Sequence, residues 1–164
     1  MMLAEAPQFL IALEQSALGA AIRQSTWVYP TANVGHILAL TLFAGSVAAM
    51  DARLLGAFAG APPASIVRPA RRAAMLGLLL MALTGSVLFT AEASHVAMNR
   101  VFQIKAVLIA LGLVNALLAA RPLDAVLDKL PAFEPLPARV RLAALASLLI
   151  WISVAACGRL IAYF

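Results

Sequence analysis

Four apolar runs separated by basic and proline-rich segments set the pattern of this chain, and each is long enough to cross a bilayer. At 1.5 Å per residue, about 20 residues cover a hydrocarbon core of about 30 Å. The runs predict membrane-spanning helices at about 29–50, 73–91, 101–120 and 142–164. Trp27 and Tyr29, with Pro30 suited to a first helical turn, mark where the chain enters the bilayer, and Tyr163 and Phe164 form an aromatic pair where it leaves.

Before the first span, Leu10, Leu13, Ala17 and Ala21 recur at helical spacing while Gln8, Gln15 and Arg23 face elsewhere. Residues 1–26 therefore read as an amphipathic helix lying on the membrane surface. Glu5 and Glu14 stand where a signal peptide would be basic, so the segment does not read as one. The turn Gly60-Ala-Pro-Pro-Ala and the cluster Arg68, Arg71 and Arg72 predict a first connection whose prolines break any helix. Asp51 and Arg53 read as an interfacial ion pair orienting that connection. Arg121-Pro122 predicts the end of the third span, and the following connection, with Asp124, Asp128 and Lys129, reads as helical over 123–130 and irregular afterwards.

Composition agrees with this pattern: 64% of the 164 residues are hydrophobic and 12% charged, with a mean hydropathy of +0.98. The fold class expected is all-α, an integral membrane four-helix bundle with an N-terminal interfacial helix and no sizeable soluble domain. The net charge of +5 then reports topology and contact with the lipid bilayer rather than nucleic-acid binding. Of the 12 basic residues, Arg53, Arg68, Arg71, Arg72, Arg121, Lys129, Arg139 and Arg141 fall in the first and third connections, which four spans place on one side. That side is expected to be cytoplasmic, with both termini periplasmic if the membrane is a bacterial inner membrane. A single cysteine, Cys157, excludes an internal disulfide and any thiolate-cluster metal site.

Ionisable side chains within apolar helices are costly and point to function. His36 lies about 10 Å below Tyr29, and Lys105 about 7 Å below Arg100. Arg159 lies about 7 Å from the chain end, and Glu92 is near the outer end of span two. One residue from each of four helices at one level is the pattern of a site in a bundle core. The small residues Gly85 and Gly112 on the same faces leave room for a flat ligand or for close helix packing. Lys105 and Arg159 are also near enough to the surface to snorkel or to pair with Glu92, and His95, in the short outer link, has solvation as its ordinary state. His36 needs a partner on another helix. Asn115, deep in span three, has the character of an interhelical hydrogen-bonding residue.

His36 and Arg53, separated by the run ILALTLFAGSVAAMDA, together with Phe102, Lys105 and Asn115, resemble the pattern of HemJ-type protoporphyrinogen oxidases. In that family a first-helix histidine and a later-helix lysine are required and haem b is bound. The resemblance implies His36 as an axial ligand and Lys105 as its partner site. The chain departs from that family after Arg53, where Leu54, Leu55 and Gly56 replace an aromatic residue and a further histidine. The lysine-bearing third helix is also similar to the CopD-like membrane domain associated with copper resistance. Through Trp27 to Pro30, Asp51 to Gly56, Thr84 to Phe89, Asn99 to Lys105 and Gly158 to Tyr163, nearly the whole chain resembles an uncharacterised family of short bacterial four-helix membrane proteins.

The leading expectation is a b-type haem protein holding the metal through His36 with His95 or Lys105 opposite, near Glu92 and Arg159. It would transfer electrons between a periplasmic redox partner and quinone. The alternatives are a CopD-type metal transporter using His36, His95, Met98 and Cys157, a cofactor-free accessory subunit of a larger membrane complex, and a HemJ-like porphyrinogen oxidase. An oxidoreductase role follows only if haem is present.

Overall fold

The computed structural model describes residues 6–127, 129–161 and 163. The first five residues of the expected surface helix, Asp128 and Phe164 lie outside the described residues. Among the described residues there are seven helices and no strand: α1 (Gln8–Gln15), α2 (Ala17–Gln24), α3 (Val28–Leu55), α4 (Pro63–Ala91), α5 (Ala93–Met98), α6 (Arg100–Leu127) and α7 (Ala138–Leu160). Four of them, α3, α4, α6 and α7, are long and apolar enough to cross a membrane. The chain is thus an all-helical membrane bundle with short helices at one end.

Each long helix starts earlier or ends later than the apolar runs indicate at the arginine-rich end of the bundle. Prolines there begin helices instead of breaking them: Pro63 occupies the first position of α4, where its missing N–H has no helical partner to lose. Pro69 and Pro122 lie inside α4 and α6. Arg68, Arg71 and Arg72 accordingly belong to a helix and not to the connection. Past Pro122, Leu123 and Leu127, four apart on one face of α6, are buried against Leu54, Val67, Leu136, Val140 and Ala144. An interior proline costs about 3 kcal/mol, whereas burying two leucines stabilises by about 3–6 kcal/mol, so the helix continues.

The segment before the first span is two helices. Ser16 ends α1 and caps α2, its Oγ accepting from Gly19 N at 3.1 Å and donating to Leu13 O at 2.6 Å. The fold-back is so tight that a Cβ on Gly19 would collide with the Glu14 carbonyl oxygen. Arg23 Nη1 donates to the carbonyls of Glu14 and Ala91, both at 2.7 Å, and ties this strap to the end of α4. The Glu14 carboxylate accepts from both the backbone N (2.8 Å) and the hydroxyl of Ser94 at the start of α5.

Helix α3 is the spine of the bundle. It packs along α4 and α7, and α7 packs along α6, whereas α4 and α6 do not pack along their lengths. Gly77 lets α4 approach so closely that a Cβ there would sit 2.8 Å from Phe43 N. Gly112 does the same for α6 against the ring of Trp151, which meets Phe43 edge-on at 4.6 Å. Across the α4–α6 seam, side chains join near both ends: Arg71 to Asp124 at 2.8 Å beside the Val67, Leu123 and Leu127 cluster, and Phe89 stacked on Phe102 at 5.7 Å. Large apolar side chains such as Leu79, Val107, Leu117 and Ile152 are exposed, as a lipid-facing surface requires.

Asp51 and Arg53 do not form the ion pair expected of them. Residues two apart on a helix point in different directions. Arg53, 1% exposed, donates from Nε and Nη2 to the Ala61 carbonyl at 3.2 and 2.8 Å and fastens the first connection. Asp51, also 1% exposed, faces the bundle interior. The first and third connections meet where Phe133 N donates to Ala59 O at 2.7 Å.

Candidate functional site

At the α5 end of the bundle a cavity of about 530 Å³ is lined by residues from α3, α4, α5, α6 and α7. That volume lies within the range of small-molecule and cofactor pockets. On α3 the spacing of Tyr29, Asn33 and His36 turns three polar side chains to one face. Gly85 and Phe89 on α4, with Glu92 just past its end, repeat the same interval. The short helix α5 contributes His95, and α6 contributes Phe102 and Lys105 one turn apart. Four of the five residues singled out from the sequence, His36, Glu92, His95 and Lys105, therefore share one cavity.

Arg159 is the exception. Its Nη2 donates to Tyr163 Oη at 2.8 Å, and its guanidinium stands 5.1 Å from the centre of that ring, on an exposed part of α7. Its helix neighbour Gly158 lines the cavity in its place. Arg159 is one residue, about 100° of helix turn, away from that face. Depth alone places it in the site; facing removes it.

His36 has the partner on another helix that its position demands. Its Nδ1 lies 2.9 Å from Thr84 Oγ1, and that hydroxyl donates its proton to the Leu80 carbonyl at 2.7 Å. With its one proton committed, the hydroxyl accepts, so the neutral imidazole carries its proton on Nδ1 and leaves the Nε2 lone pair free. Gly85 seats the ring: a Cβ there would approach His36 Cε1 to 3.2 Å.

Lys105 extends toward α7, where its Nζ would lie 3.7 Å from a Cβ on Gly158. Among the described residues it forms no ion pair. Glu92, at the junction of α4 and α5, faces Tyr29 and pairs with neither Lys105 nor Arg159 among the described residues. The cavity thus holds a carboxylate, an ammonium, two imidazoles and the amides of Asn33 and Asn99 among apolar and aromatic side chains. Arg23 is engaged in holding the N-terminal strap.

The sequence reading does not assign Asn33, Thr84, Phe89, Asn99 or Phe102 to the site. The polar and aromatic positions at 29, 33 and 36, and at 89 and 92, carry that signal at helical spacing. Among the described residues no three His, Cys, Asp or Glu side chains converge in a way that could hold a metal ion by themselves. The four-residue copper set of His36, His95, Met98 and Cys157 is therefore not drawn together as a cluster of that kind. For a haem group the requirement differs: one free imidazole nitrogen with its other nitrogen anchored, an apolar cleft, and polar groups at the rim. His36 with Thr84, the Phe89 and Phe102 walls, and Asn33, Asn99 and Lys105 fit that requirement.

A helical bundle with four candidate membrane-spanning helices and a polar cavity at one end is the class that the fold and this site define. The chain belongs to a family of unknown function, DUF6644, whose model matches residues 9–164. No curated protein and no solved structure matches it, and nothing in these comparisons links it to the HemJ-type or CopD-like groups.

Proposed function

We propose that this protein is a b-type haem-binding electron-transfer protein of a bacterial inner membrane, working between a periplasmic redox partner, or a larger membrane complex, and the quinone pool. The observation that carries the reading is His36: an imidazole in the wall of a 530 Å³ cavity, with Nδ1 held 2.9 Å from a Thr84 hydroxyl that donates to the Leu80 carbonyl, an arrangement that leaves Nε2 for a ligand. A metal-ligating histidine ordinarily has its second nitrogen held in this way, which fixes the tautomer and the ring orientation. Such a group, when bound, supplies reversible one-electron chemistry.

The chain's own residues have separable roles in this reading. His36 would hold the haem iron through its Nε2, with His95 or Lys105 from the same cavity as a second holder. Phe89 and Phe102 exclude water, and Asn33 and Asn99 offer hydrogen bonds to carboxylates at the rim. The ammonium of Lys105 disfavours the more positive, oxidised state and so raises the reduction potential. The excess of arginine at the opposite end supports a cytoplasmic assignment for that end, which sets the cavity in the periplasmic half.

The test is the absorption spectrum of protein purified in detergent, air-oxidised and dithionite-reduced. A Soret band that sharpens on reduction is expected, together with its loss in His36→Ala and a lowered midpoint potential in Lys105→Met. Protein that reconstitutes with no Soret band, or a His36→Ala variant keeping the wild-type spectrum, overturns the reading.

A further inference from the structure

A second cavity, of about 150 Å³, lies nearer the arginine-rich end, between α4 and α6 and backed by α3 and α7. Its polar feature is Asp51, 1% exposed, whose Oδ2 has no hydrogen-bond partner among the described residues. A buried acceptor without a donor is costly, on the order of 1–3 kcal/mol and more for a charged group. The Ser147 hydroxyl is beside the carboxyl, and Asn115, whose Nδ2 donates to Ala143 O at 3.0 Å, leaves its own Oδ1 available in the same space. The remaining wall is almost entirely apolar and rich in alanine.

The cavity is reached from the bilayer. Helices α4 and α6 are joined across their seam near the ends, by Arg71 with Asp124 and by Phe89 with Phe102. Between those joins Met75 on α4 and Ala116 on α6 are exposed while lining the cavity. A molecule arriving through this gap comes from the lipid phase. An apolar protein cavity of about 150 Å³ accepts a single six-membered carbon ring.

We infer that this cavity binds the head group of a benzoquinol: one six-membered ring, a hydroxyl donating to Asp51 Oδ2, and an aliphatic tail leaving between Met75 and Ala116. Asn115 and Ser147 bracket the ring, and Trp151 closes the cavity toward the middle of the bundle. The inference deepens the electron-transfer reading by naming the chemistry and location of its lipid-soluble partner. Binding itself requires no haem, so the two stand or fall separately.

The chain has two tryptophans, Trp27 and Trp151. Trp27 is 79% exposed and remote from this cavity, so Trp27→Phe leaves Trp151 as the only indole emitter. The full-length Trp27→Phe protein in lipid vesicles is titrated with decyl-ubiquinol under anaerobic conditions while Trp151 fluorescence is followed. Saturable quenching is expected, weakened at least about tenfold in affinity by the near-isosteric Asp51→Asn. Ala116→Phe, which fills the gap from the lipid side and leaves Asp51 intact, is expected to abolish it. A naphthoquinol carrying the same tail is expected to bind more weakly.

Quenching that rises linearly without saturation, as from partition into lipid alone, overturns the inference, as does saturable quenching unchanged in Asp51→Asn. Equal or tighter binding of the two-ring naphthoquinol overturns the single-ring assignment. Circular dichroism of each variant establishes that the helices are retained. His36→Ala is expected to leave the titration unchanged while removing the haem spectrum, so failure of either reading is seen apart from the other.

Discussion

His36 shows how a single side chain becomes informative. An imidazole in an apolar helix has to find a partner, and that much is legible from its position. Thr84 is not, because a threonine in a helix usually donates back to its own backbone, as Thr41 and Thr90 do. Thr84 does this too, and accepts from His36 as well; only the crossing of α3 and α4 reveals it. The glycines separate in the same way. A methyl group added at Gly45 would have nothing within 4 Å, whereas one added at Gly77 would fall 2.8 Å from Phe43 N on α3. Gly45→Ala is therefore expected to be neutral or to stabilise by up to about 1 kcal/mol. Gly77→Ala forces α3 and α4 apart and should cost about 1–3 kcal/mol. Denaturant unfolding in detergent of the two variants side by side checks the opposite signs.

At the scale of elements, the N-terminal strap departs most from the periodicity that predicts it. Apolar spacing alone continues through Ser16 and implies one helix; the serine cap and the tight approach at Gly19 turn it into two. The long helices are legible as apolar runs, but their ends are not, because proline marks both the start of a helix and its interruption. The strap is fastened by Glu14, whose hydrogen bonds from Ser94 hold its carboxyl below the ordinary carboxylate range, with Arg23 adding to the effect. A carboxylate lowered in the folded state stabilises above its unfolded pKa and loses that contribution as pH falls through the folded value. Docking of the strap should therefore be intact at neutral pH and weaken only in acid, below the usual carboxylate pKa. Hydrogen exchange read by mass spectrometry should show residues 8–24 exchanging faster in Glu14→Gln at pH 7, with the long helices unchanged. The wild type should show the same loss only in acid.

For the whole molecule, the bundle and the level of its polar groups are legible, since apolar length and depth follow from counting residues. Facing is less so, which is why Arg159 falls outside the cavity while Asn33 and Asn99 join it. Asp51 is visible as a charge at a helix end, but its burial depends on α4, α6 and α7 closing around it. The arginine-rich end predicts an orientation in the membrane. Alkaline phosphatase fused after Tyr163 should be active in bacterial cells, and the same reporter fused in the first connection, after Gly60, should be inactive. The reverse pattern would move both cavities to the opposite leaflets and remove the case for a periplasmic partner.

Two of the joins along the α4–α6 seam answer to different variables. Arg71 and Asp124 are 37% and 53% exposed, so dissolved ions reach them and screen their attraction, with a Debye length falling to about 3 Å at 1 M salt. Phe89 on Phe102 is indifferent to salt. Raising ionic strength thus weakens the Arg71–Asp124 pair alone, and leaves the stacked rings at one end and the apolar cluster of Val67, Leu123 and Leu127 at the other to hold the seam.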